Sequence, residues 1–289
     1  LYVLDRQIGK PLYPVQEQPV PQSDIPGEAT SPTQPVPSFL PPMARQSLGV
    51  EDVFGSTPED MAACRKVVED LGPGRLFNPP SEKGIIATPG NVGGMNWSGF
   101  GYDPVRQLVI APTTTLPYIV RLIPDAHLKE ERAKGELRAE LTDQVGTGYA
   151  MSRKPFMSPG RVPCVKPPWG ELVALDLTNG KIRWRTPLGS VRDLSPSAPD
   201  APTGSPVLGG SILTAGGLVF SAGTIDRRLH AFDIDTGREV WTADLPASAH
   251  ASPMTYEAGG RQYVVIAAGG GAKITEERQD DALIAYALP

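Results

Sequence analysis

The feature that most restricts what this chain can fold into is a repeated frame. Ala174-Leu-Asp176-Leu-Thr-Asn-Gly180-Lys-Ile-Arg-Trp184 and Ala231-Phe-Asp233-Ile-Asp-Thr-Gly237-Arg-Glu-Val-Trp241 share the pattern Ala-x-Asp-x-x-x-Gly-x-x-x-Trp at an offset of 57 residues. A weaker copy, Val3-Leu-Asp5-Arg-Gln-Ile-Gly9-Lys-Pro-Leu-Tyr13, lies near the start. Physically the frame is strand, tight turn, strand. The aspartate accepts backbone N–H groups inside the turn, the glycine takes a positive φ, and the aromatic packs on a neighbouring sheet. Two unrelated hairpins with similar turns are the alternative. Four matched positions at equal offsets, flanked each time by alternating apolar residues, weigh against it.

Strand signals surround the copies. Ser211 to Thr214 and Leu218 to Ala222 flank Ala215-Gly216-Gly217, and Ser252 to Tyr256 and Arg261 to Ala267 flank Gly259-Gly260. Ile85 to Thr88, Gln107 to Ala111, Tyr118 to Ile123 and Ala282 to Ala287 read as further strands, and Leu1 to Leu4 as a buried one. Repeated four-strand units of about 40–50 residues are the mark of a β-propeller. About four blades can be counted, where a closed ring takes about 4–8. The expectation is therefore an all-β chain forming about half of a propeller, with a short helical insertion.

Composition agrees. Gly and Pro are 31 and 32 of 289 residues, more than a fifth, against about 12% ordinarily, too many breakers for a helical bundle. Hydrophobic residues at 40% still suffice for a core. A formal charge of 27 − 32 = −5 removes the electrostatic argument for nucleic-acid binding. The longest apolar runs, such as Tyr263 to Ala268, are strand-length, far below the roughly 20 residues of a membrane-crossing helix. The chain opens on Leu1 and shows no leader pattern, which suggests a piece of a longer protein.

Residues 16–84 and 124–168 read as insertions. Gln16 to Pro42 is proline-rich and extended. Thr57-Pro58-Glu59-Asp60 starts a helix over 58–71 that puts Met61, Cys64, Val67, Val68 and Leu71 on one face before Gly72-Pro73 stops it. Asp125 to Leu141 is charged and helix-prone, a solvated excursion. Cys64 and Cys164 are either two buried thiols or a disulfide closing a 100-residue loop. With no Cys-x-x-Cys and three scattered histidines, a zinc site is not expected.

Longer strings carry a resemblance. Thr88-Pro-Gly-Asn-Val-Gly-Gly-Met-Asn-Trp-Ser-Gly-Phe-Gly-Tyr-Asp-Pro104, Leu208-Gly-Gly-Ser-Ile-Leu-Thr-Ala-Gly-Gly-Leu-Val-Phe-Ser-Ala-Gly223 and Ala251-Ser-Pro-Met-Thr-Tyr-Glu-Ala-Gly-Gly-Arg-Gln-Tyr-Val-Val-Ile-Ala-Ala-Gly-Gly270 resemble segments of the pyrroloquinoline quinone (PQQ) dependent dehydrogenases. Tyr2 to Arg6, Pro19 to Asp24 and Ile284 to Pro289 point to the membrane-bound glucose dehydrogenase-like branch, which includes quinate and polyol dehydrogenases. The resemblance covers residues 1–289 and implies the C-terminal half of an eight-bladed propeller. It implies oxidation of a sugar, polyol or cyclic alcohol on the periplasmic side of the bacterial inner membrane, with PQQ as hydride acceptor, Ca²⁺ or Mg²⁺ as Lewis acid, and ubiquinone receiving the electrons.

Residue by residue, Asn96 and Trp97 match the family's pair near PQQ, and Leu208 matches a position beside the cofactor plane. Gly269-Gly270-Gly271 matches a loop over the site mouth. Glucose-oxidising relatives commonly carry His where Gly271 stands, which argues against glucose. The catalytic aspartate, the metal ligands and the basic residue on the quinone oxygens match nothing here; they are expected upstream of Leu1, in an N-terminal half of the same propeller. Asp103, Asp176 and Asp233 sit in turn frames and read as structural. His250 reads as a solvent-exposed loop side chain, not a catalytic one. The competing reading is a non-catalytic propeller scaffold for protein–protein interaction, since the repeat frame alone only builds blades.

Overall fold

The structure, a computed structural model, describes residues 1–135, 139–192, 198–199, 202–271 and 277–287. The chain forms two compact units, Leu1–Asn91 with Leu116–Lys166, and Val92–Thr115 with Pro167–Pro289.

The first unit holds a four-stranded antiparallel sheet in the order Ile85–Ala87, Tyr118–Pro124, Tyr149–Pro155, Glu140–Gln144. Its helix is Pro58–Leu71, as the sequence predicts. The Thr57 hydroxyl accepts from the Asp60 N–H at 3.2 Å, Pro58 opens the first turn, and Gly72 at φ 83° ends it. Two ties fasten the helix to one loop. Cys64 and Cys164 form a disulfide across 100 residues, with Cα atoms 5.4 Å apart. One turn earlier, buried Asp60 accepts from the Gly160 N–H at 2.8 Å.

Two expectations change here. Leu1 to Leu4 is not a buried strand: it makes one bridge, Leu4 to Pro11, and Tyr2 and Leu4 are exposed. The turn at Asp5–Gly9 folds this short hairpin on itself, with little area to bury. The proline-rich stretch is extended as expected and pairs into a two-stranded ribbon, Val15–Pro19, mostly exposed, with Thr33–Pro37, mostly half-buried. The helix expected through Leu141 stops at Lys134, where Gly135 turns left-handed, and residues 136–138 lie outside the described residues. Beyond them, Glu140–Gln144 forms an edge strand of the sheet and Tyr149–Pro155 the inner strand beside it. Glu140–Gln144 carries a single apolar residue and lies at the sheet edge, so its alternation is faint.

The second unit holds three antiparallel sheets. Their orders are Lys181–Pro187, Gly170–Asp176, Leu108–Thr114, Gly101–Asp103; then Ser211–Leu213, Leu218–Ser221, Arg228–Asp233, Glu239–Asp244; then Met254–Ala258, Arg261–Ala268, Ala282–Ala287. Leu108, Ile110, Leu172 and Ala174 of the first sheet pack with Val219 and Phe232 of the second. Phe220, Leu229 and Ala231 on the second pack with Val264, Ile266 and Ala268 of the third.

The two repeat copies share one strand pairing and one aspartate turn. Ala174 pairs with Trp184 and Ala231 with Trp241, and each pairing is followed by a register shift. The Asp176 carboxylate accepts from the Thr178 N–H at 2.8 Å, and Asp233 from the Thr236 N–H at 2.8 Å. The hydrogen bonds from Thr178 and Thr236, side chain first, hold both carboxyls below the usual range. Asp5 builds the same turn with Gln7 and Ile8, and Asp103 builds it with Val105 and Arg106. In that last copy Gln107 takes the positive φ, at 55°. Both tryptophans reach the next sheet. Trp184 donates its indole N–H to the Ile234 carbonyl at 2.9 Å and lies against Gly237. Trp241 meets the edge of Tyr286 at 5.3 Å between ring centres.

At Gly237, φ is 69°, and an added Cβ would sit 2.5 Å from the Trp184 ring. Gly9 has the same φ class, 70°, with open space around it. Gly237→Ala is therefore expected to cost about 3 kcal/mol, and Gly9→Ala about 1 kcal/mol. Denaturant unfolding of the two variants checks this; equal losses would contradict the packing argument.

His230, on the second sheet of this unit, is 3% exposed, with Nδ1 2.5 Å from Glu239 and Nε2 3.5 Å from Asp226. Burial pushes the imidazole down, but hydrogen bonds to Asp226 and Glu239 outweigh it and raise it to about 9. A raised value favours the folded state fully below the ordinary 6.5, and that contribution is lost as pH climbs toward about 9. Unfolding free energy should fall by a few kcal/mol across this window, and His230→Gln should flatten the slope.

Candidate active site

Strand direction brings the candidate residues to one end of the second unit. The turns at Asp103–Gln107, Asp176–Gly180 and Asp233–Gly237 close strands at one end. At the opposite end lie the segment before Gly101, the residues entering Ser211 and Met254, and the residues leaving Ala268. Asn96, Trp97, Leu208 and Gly269–Gly271 all belong to this second set.

Ser98 joins them. Its hydroxyl donates to the Leu208 carbonyl at 2.6 Å and approaches the His250 carbonyl at 3.3 Å, while its own carbonyl accepts from the Ser252 hydroxyl at 3.2 Å. Trp97 is thereby held on a fixed turn with its indole 76% exposed. Asn96 shapes that turn: its side-chain oxygen accepts from the Trp97 N–H at 2.8 Å, and its carbonyl accepts from the Gly99 N–H at 3.0 Å. Leu208 is half-buried and donates its N–H to the Gly223 carbonyl at 3.3 Å.

The glycines beside Leu208 are there for space. A Cβ on Gly209 would meet the Ala222 carbonyl, and one on Gly210 would meet the Ser98 carbonyl at 2.5 Å and the Ser252 hydroxyl. The Gly269–Gly271 loop is tied on both sides. Gly270 donates to the Ser248 carbonyl at 2.8 Å, and Asp280 donates to the Gly269 carbonyl at 3.1 Å. Gly270, at φ 62°, has no room for a Cβ against the Arg278 carbonyl.

His250 departs from expectation. Its side chain is 13% exposed, and Nε2 lies 2.7 Å from Glu277, whose side chain is 5% exposed. Glu277 comes from the far side of the glycine loop. Ser98, Ser252, His250 and Glu277 were not legible as site residues. Ser98 sits inside the Asn-Trp string, the one signal that could have marked it. Glu277 has no motif around it.

A flat aromatic cofactor needs a flat apolar face, and the open Trp97 indole offers one; Gly209 and Gly210 are buried and let the Ser98 and Ala222 carbonyls pack close behind it. A polycarboxylate also needs cations, and none of Asn96, Trp97, Leu208 or Gly269–Gly271 is basic. Among the described residues no group of three or more His, Cys, Asp or Glu is placed to hold a metal ion. The residues thus fit the ring plane of PQQ and leave its charges to other groups.

Comparison with known proteins meets this geometry. Residues 1–264 match the family model described as PQQ, glucose/ethanol/alcohol dehydrogenase, β-propeller domain. The chain belongs to this family, and its antiparallel sheets are propeller blades. It is 38% identical over 300 residues to the quinoprotein glucose dehydrogenase of Escherichia coli, covering 100% of this chain and 37% of that protein. It is 40% identical over 299 residues to a probable quinate dehydrogenase (quinone) of Xanthomonas campestris pv. juglandis, covering 100% and 38%. Among solved structures, the quinohemoprotein alcohol dehydrogenase of Comamonas testosteroni superposes with a TM-score of 0.52 at 25% identity, over 98% of this chain and 33% of that one. The chain thus spans under two-fifths of the length of the curated relatives named here.

Ser98→Ala removes the hydroxyl that fastens the Trp97 turn. It is expected to cost about 1 kcal/mol and to speed amide hydrogen exchange at Gly99 and Leu208, leaving the Pro58–Leu71 helix unchanged. Unaltered exchange at Gly99 would show that the turn stands without it.

Proposed function

We propose that this chain works as part of a PQQ-dependent dehydrogenase that oxidises a CH–OH group of a sugar, polyol or cyclic alcohol. The observation that carries the reading is the Trp97 turn, held by Ser98 against Leu208 and His250 in a chain of the PQQ dehydrogenase family. The family match also supports the dehydrogenase over a non-catalytic scaffold, which has no use for an open indole beside close-packed glycines.

PQQ, when bound, supplies the two-electron hydride acceptor. The chain's own part is placement. Trp97 gives the ring a wall, Gly209 and Gly210 let the Ser98 turn that carries it pack close, and the tied Gly269–Gly271 loop limits access at the mouth. Asn96 keeps the wall in position. A divalent cation, Ca²⁺ or Mg²⁺, and the base that takes the hydroxyl proton are assigned to the remainder of a longer protein. We assign that protein to the periplasmic side of the inner membrane, with ubiquinone as electron acceptor. Among the described residues no helix is long and apolar enough to cross a membrane.

The test uses a full-length dehydrogenase containing this chain, with PQQ, Ca²⁺, an artificial electron acceptor and a panel of glucose, quinate and glycerol. Turnover is expected with at least one substrate. Trp97→Ala should weaken PQQ affinity about tenfold or more, the loss of a stacked aromatic face, while the unfolding midpoint moves little. The 289-residue chain alone is expected to give no turnover; robust activity from it would relocate the base and the cations into residues 1–289.

A further inference from the structure

The weaker copy of the repeat, Val3 to Tyr13, folds on the same plan as the two strong ones. Leu4 pairs with Pro11, as Leu175 pairs with Ile182 and Phe232 with Glu239, the same two positions of the frame each time. The turn closes alike. Gly9 donates its N–H to the Asp5 carbonyl at 2.8 Å, Gly180 to Asp176 at 3.0 Å and Gly237 to Asp233 at 2.9 Å. The weak copy differs on the other edge of its first strand, where it has no neighbour.

In the strong copies that neighbour is an antiparallel strand in one register. Leu108, Val109 and Ile110 lie opposite Asp176, Leu175 and Ala174. Leu218, Val219 and Phe220 lie opposite Asp233, Phe232 and Ala231. The residue before each leucine closes the pairing. The Gln107 carbonyl accepts from the Leu177 N–H at 3.0 Å, and the Gly217 carbonyl from the Ile234 N–H at 2.9 Å. Arg6 holds the corresponding position in the weak copy. Its N–H, like that of Leu4, has no hydrogen-bond partner among the described residues. Burial follows the neighbour: Leu175 is 0% exposed and Phe232 2%, whereas Leu4 is 49% exposed.

Nothing guards this edge. Sheet edges that stay open are commonly blunted by charge, proline or a bulge. The edge strand Lys181–Pro187 carries Lys181, Arg183 and Arg185, and Glu239–Asp244 carries a carboxylate at each end. Leu1-Tyr-Val-Leu4 has no charged side chain and no proline. From this we infer that residues 1–6 are the receiving edge for a further antiparallel β-strand, supplied by the chain that precedes them in the longer protein. Both strong copies take this strand from earlier in the same chain, which favours that source over a second molecule. The relatives described above match over only 37% and 38% of their length, so there is chain to supply it. The register carries over. The strand reads Leu-Val-(Ile or Phe), with leucine opposite Asp5, valine opposite Leu4, and the residue before leucine accepting from the Arg6 N–H.

The inference rests on reading this chain as part of a longer dehydrogenase, and its test does not use turnover. In the full-length protein, amide exchange at Leu4 and Arg6 should be at least about a hundredfold slower than in unstructured chain. Unprotected amides overturn the inference even if the enzyme oxidises its substrate. Protected amides with no turnover on glucose, quinate or glycerol uphold it and overturn the dehydrogenase reading instead. Leu4→Asp should raise the unfolding equilibrium constant about a hundredfold or more, since it buries a charge. Ile8→Asp, at a turn tip that is 74% exposed, should change it less than about threefold. Equal effects contradict the inference, and if Leu4→Asp does not fold, exchange in the unmodified protein decides. Cross-linking identifies the occupant, because Cys64 and Cys164 are already paired. Leu4→Cys with cysteine in place of the facing valine should form a disulfide within one molecule, and Val3→Cys with that same cysteine should not. The reverse result refutes the register and the inference with it. A disulfide-linked pair of molecules from Leu4→Cys alone would give the edge to a second copy and refute the preceding strand.

Discussion

The contact between the Trp184 indole and Gly237 sets the spacing on which the rest of the second unit depends. Gly237 is bare because the ring occupies the place of its Cβ, and the indole N–H reaches past it to the Ile234 carbonyl. A sheet pair held only by aliphatic packing could slide, since dispersion has little direction. One flat ring on one bare backbone, with a directed hydrogen bond, removes that freedom. The aspartate turn serves the same end. It puts Gly237 at a fixed place on its sheet, where Trp184 from the preceding sheet meets it. The frame Ala-x-Asp-x-x-x-Gly-x-x-x-Trp is thus a docking device read twice, once as the part that reaches and once as the part that receives.

This explains why much of the fold was legible. Where a residue type is demanded by backbone geometry, as with Asp233, Gly237, Thr57 and Pro58, the letter itself reports the structure. The helix 58–71 was predicted to its ends for that reason. Where identity is set by surroundings, the letters are ambiguous. Leu1 to Leu4 has the pattern of a buried strand and no sheet to bury it. Glu140–Gln144 pairs in a sheet with almost no apolar alternation. The cysteines could be read only as two alternatives, because their proximity depends on how the helix packs on the Gly160 loop, which one sequence does not state.

The site followed the same division. Trp97, Leu208 and the glycines were found because they lie in strings shaped by close approach. Ser98 and the His250–Glu277 pair were not, since a serine bonding two carbonyls from distant segments leaves no spacing signal. His250 was misjudged for a related reason. Flanked by Ala249 and Ala251 on a connection between strands, it has the local look of an exposed loop, and its contact with Glu277, 27 residues on, leaves no local signal.

The two ends of the unit therefore carry different burdens. At the turn end, carboxylates, positive-φ glycines and the Trp184 contact are satisfied among themselves, and they hold sheets together. At the other end the polar groups also pair, yet mostly with backbone carbonyls, through Ser98, Ser252 and Gly270. That choice leaves a side chain rather than backbone to meet a ligand, the open Trp97 indole. Rigid backbone with unspent side-chain surface is what a binding site requires, because the ordering cost is met on folding and need not be met again when the ligand arrives. The repeat stacks the sheets, and the Ser98 junction across their other end is what keeps Trp97 in place.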